Sequence, residues 1–388
     1  MMSHLSVIGH GASSGTQSAV EIAAAFDPGR LVQARRLAGL TKSAVAKEIG
    51  VSAVALGNWE AGTNLPRPDH VQKLCDALDV PIPFFAAGRP YARLSESDAH
   101  FRSLRRTPAH QRAKAIAFTE QVWELTYALE KRVQLPPVRL PGFSAGEVTP
   151  RVKSDEPAYA ARMLRAEWNL GLGKIPRMVR LMEQHGIVVA LAPFAGSATP
   201  TVDAFSTSRL PRPVVVMTPD RAQDVNRHRF TAAHELGHLI MHPDTAPGDP
   251  QIEKEADQFA AELLTPAESI TPLLPNRLDL HALNRLSKEW GVSIESLIYR
   301  CHELGTVSEA AYRRAFQRLN QLRKVSLFNL ESVDGYPGEI PALLPKAFEV
   351  AQANGLSLTA LSQELSCKPA RVRMLLGQSD RRPQLRLV

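Results

Sequence analysis

Cysteine is scarce: the 388 residues hold three, Cys75, Cys301 and Cys367, widely spaced and in no C-x-x-C or C-x-H pattern. That excludes a disulfide framework and a thiolate metal site, and it points to a reducing compartment. Long apolar runs are also missing. No stretch approaches the roughly 18 uncharged apolar residues that a membrane helix needs, and the start, MMSHLSVIGHGASSG, has neither the basic residues nor the apolar run of an export signal. The reading is a cytoplasmic, soluble chain with no membrane partner. There is no internal repeat of fixed period, and 29 prolines against 23 glycines argue against a long coiled coil. Short helices between rigid junctions are expected instead.

What is present is ordinary globular material, 44% hydrophobic and 22% charged, in a chain too long for one core. Two or three domains of roughly 150 residues each are expected. Forty-six Lys and Arg against 39 Asp and Glu give +7, a surplus compatible with nucleic acid without requiring it. Along the chain, 1–27 is a Gly/Ser/Ala-rich, loosely ordered arm. Segment 28–87 is a compact all-α domain of four or five short helices punctuated by Gly39, Gly50, Gly57, Pro66 and Pro68. Segment 88–154 is a basic helical stretch closed by the proline-dense linker QLPPVRLPGF. Segment 155–275 is α+β, with helices at AYAARMLRAEW and IPRMVRLMEQHG and strand-like runs IVVALAP and PVVVMT. Segment 276–388 returns to helix and ends on Arg371, Arg373, Arg381, Arg382 and Arg386. The fold class is therefore multidomain.

In the first helical segment, LTKSAVAKEIGVSAVALGNWEAG reads as two helices joined through Gly50 by the short turn of a helix-turn-helix. Ala44, Val45, Ile49, Val51 and Leu56 are the expected inward positions. Ser52, Ala53, Ala55 and Asn58 are the outward face that would enter a major groove, with Arg30, Arg35 and Arg36 near enough in sequence to serve phosphates. Residues 30–81 resemble the Xre/Cro repressor-type helix-turn-helix, including its WExG turn at Trp59, Glu60 and Gly62. The resemblance implies double-stranded DNA as partner and a homodimer on a two-fold operator. Arg35, Ser52, Ala53, Ala55 and Asn58 carry over as the DNA-binding positions. Ala53, Val54, Ala55 and Gly57 leave the second helix bare, so its direct base readout is confined to thymine methyls.

The richest stretch is RFTAAHELGHLIMH, where His234, Glu235 and His238 form H-E-x-x-H on an apolar helical background. Histidines at i and i+4 share one helix face and both can ligate one zinc ion; Glu235 is placed to take a proton from an activated water. A third ligand is sought in IEKEADQFAAELLTP. Glu253 is preferred over Glu255 because only Glu253 has a carboxylate, Asp257, at i+4 to orient a histidine ring; Glu255 stays open. His242 is read as a surface residue. His228, Arg229 and His242 are each near enough in sequence to stabilise an oxyanion, and none is singled out.

RFT-x-AHELGH at 229–238 and E-x-x-A-D-x-FAAELL-x-P at 253–266 resemble the ImmA/IrrE family of zinc metallopeptidases over about residues 155–300. The resemblance implies a zincin-like fold, one Zn2+ per chain held by His234, His238 and Glu253, Asp257 behind a ligand, and Glu235 as general base. It also implies a protein substrate, a repressor, cut by an endopeptidase that often travels with an Xre-type domain. Asp203–Ser206 reads equally as a strand edge for an extended peptide and as an ordinary core strand. Three readings compete. One is a DNA-binding regulator with a working zinc endopeptidase, and another a non-catalytic transcription factor whose zinc is structural or ligand-sensing. The third is a scaffolding protein using the helix-turn-helix for protein contact. The basic run Arg102, Arg105, Arg106, Arg112 and Lys114 is read as a solvated helix face. Trp290, Val292, Ile294 and Leu297 are read as core positions rather than a second helix-turn-helix.

Overall fold

A computed structural model describes residues 18–95, 100–101, 108–144, 147–148, 156–192, 204–218, 224–242, 249–324 and 332–378. Most of the N-terminal arm, Arg102, Arg105, Arg106, Asp203, Arg381, Arg382 and Arg386 lie outside the described residues. Contacts divide the chain into two units, Met1–Arg89 and Pro90–Val388.

The first unit is helical: α1 (Ala19–Ala24), α2 (Pro28–Ala38), α3 (Lys42–Ile49), α4 (Ala53–Ala61) and α5 (Pro68–Leu78), followed by a 3-10 turn at Ile82–Phe85. Local chemistry sets the breaks. Asp27, Thr41 and Ser52 each accept a backbone N–H from the first turn of the helix they open, which satisfies donors that have no partner inside a helix. Gly50 closes α3 at φ +74°, a left-handed conformation that a side chain would strain. With α4 beginning three residues later, the helix-turn-helix geometry follows. Leu31, Ala34, Val45, Ala46, Ile49, Leu56, Trp59, Val71, Leu74, Phe84 and Phe85 form the core. One expectation is corrected here: Ala44 is exposed and Ala46 takes the inward place, because the stripe that includes Val45 and Ile49 continues through 46, not 44.

The second unit contains a four-stranded mixed sheet in the order β1-β5-β6-β4. Its strands are β1 (His100–Phe101), β4 (Val188–Leu191), β5 (Ala204–Thr207) and β6 (Val214–Met217); a short hairpin, β2 (Phe143–Ser144) and β3 (Glu147–Val148), lies apart from it. β4 runs parallel to β6 and β5 antiparallel to it. Side chains alternate across the sheet. Ala204, Val189, Val215 and Met217 join a core shared with α7 (Pro157–Glu167), α8 (Met178–Gln184), α9 (Val225–Met241), α10 (Pro250–Leu264) and α11 (Ala267–Ile270). The same core continues through α12 (Leu280–Trp290), α13 (Ile294–Glu303) and α14 (Glu309–Lys324) to Leu319. Apolar packing therefore runs unbroken past residue 275. Trp290, Val292, Ile294 and Leu297 are buried within it.

α6 (Ala109–Glu130) extends well beyond the basic run that is read as a solvated face. Although Arg112 and Lys114 sit at its partly exposed start, Ala115–Val122, Leu125 and Leu129 are buried, and the helix packs on β6, α15 (Leu343–Ala353) and α17 (Pro369–Leu375), with α16 (Leu358–Glu364) between the last two in sequence. Its 22 residues also exceed the short helices that the proline content suggested. Among the described residues no helix is long and apolar enough to cross a membrane. The three cysteines are free and buried.

α9 and α10 approach closely because Gly237 has no side chain. A Cβ at Gly237 would stand 3.0 to 3.3 Å from the Phe259 ring and its Cβ. Gly237→Val is expected to lower stability by about 2–3 kcal/mol through overpacking, and to weaken metal uptake by displacing the helix that carries Glu253. Denaturant midpoints of the metal-free proteins and a zinc titration check both. An unchanged midpoint would contradict the close packing.

Candidate metal centre

α9 is buried almost all round, and His234, Glu235 and His238 are each 0% exposed. The i, i+4 spacing stacks the two imidazoles on one face, with Nε2 of His234 and Nε2 of His238 3.0 Å apart. Glu253, in the first turn of α10, closes the third side. Its carboxylate oxygens lie 3.4 Å from Nε2 of His234 and 3.5 Å from Nε2 of His238. Donors at about 2.1 Å from a tetrahedral zinc ion stand about 3.4 Å apart. The three ligand atoms have the right spacing, and together they are the one metal-compatible group of His, Cys, Asp and Glu found among the described residues.

The surrounding hydrogen bonds fix which imidazole nitrogens face the centre. Nδ1 of His234 lies 2.8 Å from Oδ1 of Asp257. A carboxylate only accepts, so this nitrogen carries the proton and Nε2 of His234 keeps its lone pair. On the other side Nε2 of His242 donates to Glu255 at 2.8 Å, which leaves Nδ1 of His242 to accept from Nδ1 of His238 at 3.2 Å. Nε2 of His238 is then also a lone pair. Burial lowers the His242 pKa, with Glu255 opposing it, and a neutral ring is what this relay requires. Two lone pairs and a carboxylate converging in a buried place repel one another unless a cation sits between them. The donor set fits zinc.

One position differs from the sequence reading. His242 is 5% exposed rather than a surface residue, and it holds His238 as Asp257 holds His234. The H-x3-H-x3-H spacing of 234, 238 and 242 was the signal for it. Glu255 stands against His242 and outside the three-donor group. Glu235, next to His234 on α9, is buried and lies outside that three-donor group. Its Oε2 accepts a hydrogen bond from Ser206 Oγ at 2.8 Å, a partner from β5 that no sequence pattern indicated.

His228 and Arg229 are not oxyanion groups. Nε2 of His228 donates to the Glu339 carbonyl. Arg229 is buried and donates to the carbonyls of Ile175, Pro176 and Gly291 and to the Glu339 carboxylate.

In the first unit, α4 exposes Ser52, Ala53 and Val54, while Ala55 and Asn58 are half-buried. The Ser52 hydroxyl caps α4 through the Ala55 N–H. Arg35 does not join this face: it forms a two-point pair with Glu60, at 2.5 and 3.2 Å, and donates to the Leu40 carbonyl. Arg30 is fully buried and donates to Gln33. Both arginines hold the domain together rather than reach outward.

A helix pair bearing H-E-x-x-H and a third carboxylate beneath a small mixed sheet defines a metallopeptidase-like domain, and the capped α3–α4 pair defines a helix-turn-helix. Family models agree with both: residues 182–302 match the IrrE N-terminal-like domain of Peptidase M78, and residues 31–85 match Helix-turn-helix. The chain thus joins an Xre-like helix-turn-helix to an ImmA/IrrE-like domain. No curated protein matches the chain.

Proposed function

We propose that this protein is a DNA-binding transcriptional regulator whose second unit is a zinc-dependent endopeptidase, with a repressor protein as its substrate. The observation that carries the reading is the convergence of one ligand atom each from His234, His238 and Glu253 within 4.8 Å of one another, on a helix whose H-E-x-x-H stretch also carries the buried Glu235. His234, His238 and Glu253 hold the ion, and Asp257 and the His242–Glu255 pair fix the two rings. Zinc, when bound, supplies Lewis acidity, lowering the pKa of a water and polarising a carbonyl.

The chain's own residues supply the rest. Glu235 takes a proton from the attacking water and passes it to the departing amine. Ser206 holds one oxygen of that carboxylate, so the group is oriented before substrate arrives. On the DNA side α4 enters the major groove with a face of Ser52, Ala53 and Val54. Such small and apolar side chains touch thymine methyls and leave much of the selectivity to DNA shape and phosphate contacts.

Metal content tests the reading first. Elemental analysis of the purified chain is expected to give about one zinc per chain, lost in a His234→Ala/His238→Ala double variant. A chain that takes up no zinc, even after metal is added, would overturn the peptidase assignment. A zinc-loaded chain that hydrolyses no protein would favour the non-catalytic regulator.

A further inference from the structure

The outer side of the strand that contacts Glu235 is already taken. β5 lies between β6 and β1, and β1 pairs with it antiparallel, His100 opposite Ser206 and Phe101 opposite Phe205. Without β1, the outer side of β5 would present a row of unpaired N–H and C=O groups, the template on which an extended peptide adds as a strand. This edge is tied to the proposed chemistry: Ser206, the residue opposite His100, sends its hydroxyl to Glu235. A strand at this position runs about 4.8 Å from β5, one strand spacing from the residue that touches the general base. The occupant also has a telling origin, since His100–Phe101 follows Arg89, the last residue of the helix-turn-helix unit, in the stretch that begins the second unit.

We propose that the chain's own His100–Phe101 segment occupies, in cis, the strand position that an extended peptide substrate must take on β5, so that substrate binds only by displacing it. The proposal rests on the peptidase reading of the same site. The pairing spans two residues of a four-residue strand. Such a short pair grips weakly, because two residues add few ladder hydrogen bonds to the sheet edge. A substrate that pairs along Ala204–Thr207 makes more ladder hydrogen bonds and wins the edge. The device holds the site closed to chance peptides while leaving it open to a partner that brings a longer strand. It also gives the peptidase site a covalent link to the DNA-binding unit, through the very segment that must move.

The test uses the full zinc-loaded chain and a fluorescently labelled peptide of residues 95–107. Binding is read by anisotropy in a Glu235→Gln background, so that the probe is not cut. A tethered strand competes at an effective concentration on the order of millimolar. Removing it with His100→Pro/Phe101→Pro, which deletes the ladder N–H groups of β1, is expected to tighten peptide binding about tenfold. Equal affinity in the two proteins would overturn the proposal. A His100→Gly/Phe101→Gly pair, which weakens the strand without a ring, serves if the proline pair does not fold, and the same direction of change is required of it.

Hydrolysis of an unstructured protein by the Glu235-intact forms separates the two readings. Tighter peptide binding with no hydrolysis in either form keeps the occupied edge and removes the peptidase. Hydrolysis with unchanged peptide binding does the reverse.

Discussion

Glu235→Gln is expected to retain zinc and to lose hydrolysis by about 10²–10⁴-fold, the range that a positioned general base contributes. The substitution is nearly isosteric, and an amide oxygen still accepts from Ser206 Oγ, which stands 2.8 Å from the carboxylate. Glu235 is outside the three-donor group of His234, His238 and Glu253. Metal content should therefore hold while proton transfer fails, because an amide cannot take a proton from water near neutral pH. Full burial of the side chain makes the result clean: bulk solvent has little access to replace the missing base. Elemental analysis beside initial rates on an unstructured protein reads both halves of the expectation. Hydrolysis retained at the parent rate would remove Glu235 from the mechanism, and zinc lost with the activity would mean that the carboxylate helps to hold the ion.

Much of this centre was legible because helical periodicity is rigid. His234 and His238 had to share a face once the stretch was helical, and the buried α9 bears that out. Glu253 against Glu255 was harder. The choice turned on Asp257 at i+4, and in the structure Asp257 does meet a histidine, but Glu255 proves to have its own place behind His242. A polar residue at the end of an apolar helix looks like surface until the neighbouring helix is in position, which is why His242 was misread. Ser206 reads from sequence only as part of a candidate strand, and its bond to Glu235 has no signal: a serine on a short strand has no periodicity that names a partner 29 residues away. Arg35 shows the opposite failure. Its nearness in sequence to the recognition helix suggested phosphates, whereas Glu60 at the end of α4 lay within reach and took it. The interior of α6 is hard to read for a related reason: its basic first turns give way to a run, Ala115–Val122, that is buried on nearly every side and so carries little periodicity.

Glu339→Ala is expected to destabilise the second unit by about 3–5 kcal/mol, the cost of leaving a buried charge without its partner. The carboxylate is 1% exposed and pairs with Arg229, itself 4% exposed. It also accepts the backbone N–H groups of Met178 and Val179 at 2.8 and 3.0 Å, and so caps α8, whose own N-cap residue makes no side-chain cap. Removing it strands a guanidinium and two N–H donors at once. The carbonyls of Ile175, Pro176 and Gly291 remain for Arg229 but carry no full charge. A loss of this size in a unit of this length corresponds to a fall of about 10 °C in the unfolding midpoint. Glu339→Gln, which keeps one acceptor oxygen where the carboxylate offers one to each of the two N–H groups, should lie between the parent and the alanine variant. The consequence reaches the metal centre because Arg229 sits on α9 little more than a turn before His234. A residue from the C-terminal helical region thus braces the helix that presents the ligands, and the zinc affinity of the alanine variant should fall with its stability. Calorimetry and a zinc titration of the same samples read the two together. A midpoint shift of less than about 2 °C would mean that solvent, rather than Glu339, neutralises Arg229.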